Sequence, residues 1–180
     1  FYDSNFFPFF ENVDGSPWDP SKARCFFRKM TFDLSSSSDG WEEEILFPTQ
    51  VGDLAKMDHR FLTQPARYAF TMFADPARPF DEERAGNLRG RVSNSYGRFD
   101  MHTGEVESYF VGDTHTLQEC SFVPRRGSTA EGDGYLIGTT SNLAELRTEL
   151  VIVDAQRLSE GELARVILPF RGGPQVKWAW

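Results

Sequence analysis

The sequence predicts an all-β chain of short antiparallel strands joined by long loops. Three observations support this. Strand-like runs recur between clusters of turn residues. Helical periodicity is poor almost everywhere, and the best helix candidate, Pro79 to Arg84, is short and lacks apolar spacing. The chain is rich in large rings, with 17 Phe and 14% aromatic residues, and rings suit pleated, half-buried surfaces. A sandwich, a barrel and a propeller all fit strands at this spacing, and periodicity does not choose among them.

The elements follow in order. Cys25 to Leu34 alternates and carries Phe26, Phe27, Met30, Phe32 and Leu34. Ser35 to Gly40 is a solvent loop, and Glu42-Glu43-Glu44 reads as a solvated exit from a strand. In the strand Tyr68 to Phe73, Tyr68, Phe70 and Met72 share one face, and Ala69, Thr71 and Phe73 the other. Asn94 to Asp100 and Glu105 to Val111 flank His102-Thr103-Gly104, a hairpin turn. Leu117 to Arg125 is a strand interrupted by a lone acid, Glu119, which is costly to bury without a hydrogen-bond partner. Gly127 to Gly134 is an acidic turn, and the glycines of its Glu131-Gly132-Asp133-Gly134 part supply positive φ. Tyr135 to Thr140, Glu149 to Ala155 and Leu163 to Phe170 are the remaining strands.

A chain of 180 residues can form one domain with a real core. Its net charge of −8 and pI near 4.9 argue against binding phosphate backbones or anionic membranes. No run of 18 apolar residues is present, and no basic segment with an apolar stretch opens the chain. Cys25 and Cys120 make no disulfide framework and are expected to be buried free thiols in a reducing cytosol, so the expected location is cytoplasmic. The opening Phe1-Tyr2-Asp3 reads as mid-strand and the closing Val176 to Trp180 lacks a polar tail. Both ends are expected to be cuts through a longer protein or an incomplete gene model.

Several segments, in this order, carry a family resemblance. Phe6-Phe7-Pro8-Phe9-Phe10 is followed by Asp14-Gly15-Ser16-Pro17-Trp18-Asp19-Pro20, then Thr31-Phe32-Asp33-Leu34 and Trp41-Glu42-Glu43-Glu44. Next come Met57-Asp58-His59-Arg60-Phe61 with Arg67-Tyr68, and Arg98 to Gly104. The series ends on the Glu119 strand, its acidic glycine turn and two apolar strands. Together they resemble the C-terminal part of the carotenoid cleavage oxygenases, most of all the lignostilbene dioxygenase and isoeugenol monooxygenase branch. The resemblance implies a seven-bladed β-propeller of which residues 1–180 supply about three blades, as part of a single domain incomplete at both ends.

It also implies a chemistry. The family binds one non-haem Fe(II) through four histidines, and three glutamates hydrogen-bond three of those rings, fixing their orientation. The intact enzyme uses O2 to split a conjugated C=C bond of a stilbene, phenylpropanoid or carotenoid-type substrate into two carbonyl products. Glu119 matches the third glutamate, in a Glu-x-x-Phe-Val-Pro motif completed by Phe122, Val123 and Pro124. The first three iron-binding histidines would lie upstream of Phe1. The fourth is expected just after Leu168-Pro169-Phe170, where Lys177 stands instead. A protonated lysine has no lone pair to give a metal. The chain alone is therefore expected to hold no iron and to be catalytically incomplete. Phe7, Phe9 and Phe10 are candidates for an apolar substrate tunnel, with blade packing as the alternative.

His59, His102 and His115 fit no compact metal motif and are expected to be ordinary surface or loop residues. Glu131-Gly132-Asp133-Gly134 lacks the alternating ligands of a calcium loop. The rival to the oxygenase is a non-enzymatic β-propeller or β-sandwich binding module that holds no iron and uses an aromatic face for contact.

Overall fold

In the computed structural model, residues 12, 14–17, 19, 25–37, 39–86 and 93–173 are described. The chain divides into two compact units, Phe1–Val51 and Gly52–Trp180.

The first unit carries a two-stranded antiparallel sheet of β1 (Phe27–Thr31) and β2 (Glu42–Leu46), with Phe27 opposite Leu46 and Thr31 opposite Glu42. Two expectations are corrected here. The strand stops at Thr31, leaving Phe32 to Leu34 outside it, because the Asp33 carboxylate accepts from the Ser35 amide at 2.9 Å and starts a turn. The three glutamates are not a strand exit but the first three residues of β2, where Arg28 pairs with Glu43 and Lys29 lies 3.9 Å from Glu44. Opposite charges facing each other across strands offset the weak β-propensity of glutamate.

The second unit is built from two four-stranded antiparallel sheets. The first runs β3 (Val51–Lys56), β4 (Tyr68–Ala74), β5 (Ser95–Asp100), β6 (Val106–Phe110), each hydrogen-bonded to the next in sequence. The second runs β7 (His115–Pro124), β8 (Gly134–Asn142), β9 (Arg147–Asp154), β10 (Glu162–Ile167) in the same manner. A four-stranded meander is the repeating unit of a propeller. Among the described residues there are two such sheets and the β1–β2 pair, against an expected three blades.

Strand β3, like β2, was not among the strands expected from the sequence. Its Gly52, Asp53 and Lys56 break the alternating apolar pattern. Gly52 is there because an added Cβ would sit 2.8 Å from the Met72 carbonyl oxygen of β4. The expected helix near Pro79 shrinks to a single turn, α1 (Glu82–Ala85), with the Asp81 carboxylate accepting from the Arg84 amide at 3.0 Å. Of the two glycines expected at positive φ, Gly132 adopts it and Gly134 does not, while Gly127 adopts it as well. Gly134 opens β8, where a Cβ would collide with the Val123 carbonyl oxygen of β7.

Apolar side chains from both sheets form one core, with Phe70, Tyr96, Leu136, Val151, Val153 and Leu158 shielded from water. Each such side chain contributes about 1.5–3 kcal/mol by burial. Phe70 of β4 stacks on Phe122 of β7 at 5.1 Å between centroids and 9° between planes. No helix among the described residues is long and apolar enough to cross a membrane.

Strand β10 lies at the edge of its sheet. Leu163, Val166 and Ile167 are 59%, 47% and 58% exposed, and no strand among the described residues pairs with its outer edge. Exposed apolar side chains and unpaired edges both drive association. The isolated 180-residue chain should self-associate and bind a dye specific for exposed apolar surface, and Leu163→Lys with Ile167→Glu should reduce both signals. A sharp monomer peak with little dye binding in light-scattering experiments would contradict this.

Candidate functional site

Glu119 is placed by an irregularity in β7. Leu117 faces Thr140 of β8, but Cys120 faces Gly138, so β7 spends three steps where β8 spends two. The extra residue makes a β-bulge at Gln118–Glu119, a device that re-aims a side chain. Tyr96 of β5 pins it, donating from Oη to the Gln118 carbonyl at 2.7 Å. Burial pushes the Tyr96 phenol well up, so it stays a donor. The bond requires Gly138, because a Cβ there would collide with Tyr96 Oη. Burial also pushes the adjacent Cys120 thiol up to about 12, leaving it inert. Cys120 is a buried free thiol, whereas Cys25 is only half-buried.

The Glu119 side chain is buried, with 3% of the residue exposed. Its two oxygens differ. Oε1 forms a salt bridge with Lys56 Nζ at the end of β3. Oε2 is buried and has no hydrogen-bond partner among the described residues. An unmade hydrogen bond at such an atom costs about 1–3 kcal/mol. Lys56 is aimed by an irregularity of its own strand. Leu54 holds φ +58°, with the Asp53 carboxylate accepting from the Leu54 amide at 2.7 Å and Thr71 Oγ1 donating to the Asp53 carbonyl.

Two residues beyond Lys56 begins a buried ionic clamp. The Asp58 carboxylate accepts from Arg60 Nε at 2.9 Å, Arg60 Nη2 at 2.6 Å and the Gly132 amide at 3.3 Å. Burial alone would push its carboxyl up, but these hydrogen bonds outweigh that and hold it below the usual range. Arg60 also donates to the carbonyls of Ser128 and Ala130. Glu131 accepts from the amides of Arg67 at 2.7 Å and Tyr68 at 2.9 Å. The acidic glycine turn is thus fastened to the start of β4 and to the 3₁₀ turn His59–Phe61.

The remaining sequence candidates scatter. Phe7, Phe9, Phe10 and Lys177 lie outside the described residues. His59 and His102 are exposed in turns. His115 is not a surface residue: it opens β7 with its side chain 13% exposed and its Nε2 3.3 Å from Glu149 Oε2. Glu149 is fully buried and also takes Arg147 Nε at 2.6 Å and Arg165. No group of three or more His, Cys, Asp and Glu side chains that could hold a metal occurs among the described residues. Sequence reasoning missed Lys56 and Tyr96. The visible signal was Gly138, a glycine inside an apolar strand, which marks close approach by another group.

Two outcomes follow from this geometry. Gly138→Ala should displace Tyr96, free the bulge and cost about 1–3 kcal/mol in urea unfolding, whereas no loss would mean the bulge stands without Tyr96. The second concerns His115, whose pKa is lowered below 6.5, mainly by burial and also by Arg165, against the opposing pull of Glu149 and Asp113. The unfolded chain then takes up the proton first, so stability present above 6.5 is lost as pH falls below it. Glu149, held down to about 2 despite its burial by hydrogen bonds from Arg147, Arg165 and Asn142, gives way only in a separate window below 4.5. The melting temperature should fall from about pH 7.5 to about pH 5.5, and His115→Gln should flatten that fall. An unaltered slope would count against it.

A family model described as retinal pigment epithelial membrane protein matches residues 1–176. The chain is 35% identical over 179 residues to lignostilbene-alpha,beta-dioxygenase isozyme III of Sphingomonas paucimobilis, covering 98% of this chain and 36% of that protein. It is 37% identical to isoeugenol monooxygenase of Pseudomonas putida, covering 99% of this chain and 37% of the relative. The crystal structure of Pseudomonas brassicacearum lignostilbene dioxygenase superposes with a TM-score of 0.86 at 30% identity, over 96% of this chain and 35% of that one. This chain thus spans little more than a third of the length of these relatives. Its meander sheets are part of a β-propeller, and the chain belongs to the retinal pigment epithelial membrane protein family, the carotenoid cleavage oxygenases, in its lignostilbene dioxygenase and isoeugenol monooxygenase branch.

Proposed function

We propose that this chain is the C-terminal part of a non-haem Fe(II) oxygenase acting on a stilbene or phenylpropanoid alkene, and that Glu119 orients one of its iron-binding histidines. The single observation that carries this is the buried, unpartnered Glu119 Oε2. A buried acceptor without a donor is rare in a folded protein and points to a group not among the described residues. The far N–H of an iron-bound imidazole is such a donor, and a carboxylate is its usual partner. The described residues therefore fit the outer support of an iron site, while its direct ligands would come from elsewhere in the full-length protein. Bound ferrous iron supplies O2 activation for scission of the conjugated C=C bond into two carbonyl products.

The residues of this chain would serve that chemistry by position. Tyr96 and Gly138 hold the bulge, and the bulge aims Glu119. The relatives named for lignostilbene and isoeugenol support an aromatic alkene as the substrate class. The test is Glu119→Gln in the full-length protein. The amide keeps the shape but loses the charge, and iron affinity and turnover should drop about 10–100-fold while the melting temperature holds. Unchanged iron content by elemental analysis and unchanged cleavage of lignostilbene would mean that Glu119 supports no histidine.

A further inference from the structure

We infer that Lys56 is a positioning residue for Glu119, holding one carboxylate oxygen so that the other is presented as a single oriented acceptor. This rests on the reading of Glu119 as the partner of an iron-binding histidine. A carboxylate offers about four lone-pair sites over two oxygens. Left alone in its pocket it can turn and present either one. Lys56 Nζ takes Oε1, and Oε2 is the oxygen left over. The ammonium also compensates a negative charge that would otherwise be buried without a partner.

The backbone is shaped for this pair from both sides. On β7 the bulge turns Glu119 out of the regular alternation. On β3 the positive φ of Leu54, two residues before Lys56, does the same, held by Asp53 and Thr71. Positive φ at a leucine is disfavoured, and the surrounding hydrogen bonds hold it there. The two side chains that these irregularities re-aim meet each other.

The identity of the cation matters as much as its charge. A lysine is a point donor that engages one oxygen. An arginine fork favours bidentate pairing and would cover both oxygens of the carboxylate. Lysine thus leaves an acceptor free where arginine would consume it. A lysine present only to neutralise a buried acid would be replaceable by arginine.

The experiment measures iron affinity and thermal melting in the full-length protein for Lys56→Arg, Lys56→Met, Glu119→Gln and the Lys56→Met/Glu119→Gln double variant. Lys56→Arg keeps the charge and should melt near the parent temperature, yet lose iron affinity about 10–100-fold, as Glu119→Gln does. Lys56→Met should lose a similar factor on its own and nothing further once Glu119 is already glutamine, because the two act as one unit. The double variant carries no uncompensated charge and serves as the folding control. If Lys56→Arg binds iron like the parent while Glu119→Gln does not, the positioning role is overturned and the Glu119 reading stands. Additive losses from Lys56→Met and Glu119→Gln would overturn it equally. If Glu119→Gln itself binds iron normally, the underlying reading of Glu119 fails instead.

Discussion

Tyr96 reaches from β5 to the Gln118 carbonyl of β7 through a space that exists only because residue 138 is glycine. The geometry of the candidate site depends on that bond. It fixes where β7 carries its extra residue, and the extra residue decides which way Glu119 points. A one-residue slip in a strand reverses every side chain beyond it. An unpinned bulge would therefore misplace not only Glu119 but the sequence from Cys120 to Pro124 that pairs with β8.

Around this bond the protein buries charge in compensated groups. Asp58 is paired with Arg60, Asp100 with Arg67, and Glu149 with Arg147 and Arg165. Removing one partner of such a pair costs far more than the pair contributes, because the remaining charge stays buried. Against that background Glu119 stands apart. Its Oε2 is the only buried carboxylate oxygen without a partner among the described residues. The other clusters are closed, so they fasten loops and strands. Glu119 is half closed, which is the condition for taking one more donor.

Much of the architecture was legible in the sequence. The strands from Tyr68 onward appear within a few residues of where alternation and turn residues placed them, because apolar alternation and glycine turns are local signals. Strand β3 was not legible, since Gly52 and Asp53 carry no apolar alternation and the strand is held by packing against β4. The glutamates of β2 misled for a related reason: their partners, Arg28 and Lys29, lie across a sheet that periodicity does not show. His115 misled too, since it neighbours Asp113 and Thr114 in sequence but Glu149 and Arg165 in space.

By itself the sequence determined the fold class, the family and the singular acid in the strand from Leu117 to Arg125, because alternation, turn chemistry and motif order are all written along the chain. Only the tertiary structure decided what surrounds that acid. The contact of Lys56 with Oε1, which leaves Oε2 without a partner among the described residues, and the collision that forbids any side chain at residue 138 both join segments distant in sequence. Such contacts arise when strands are stacked and registered against each other, and no local pattern encodes their distances.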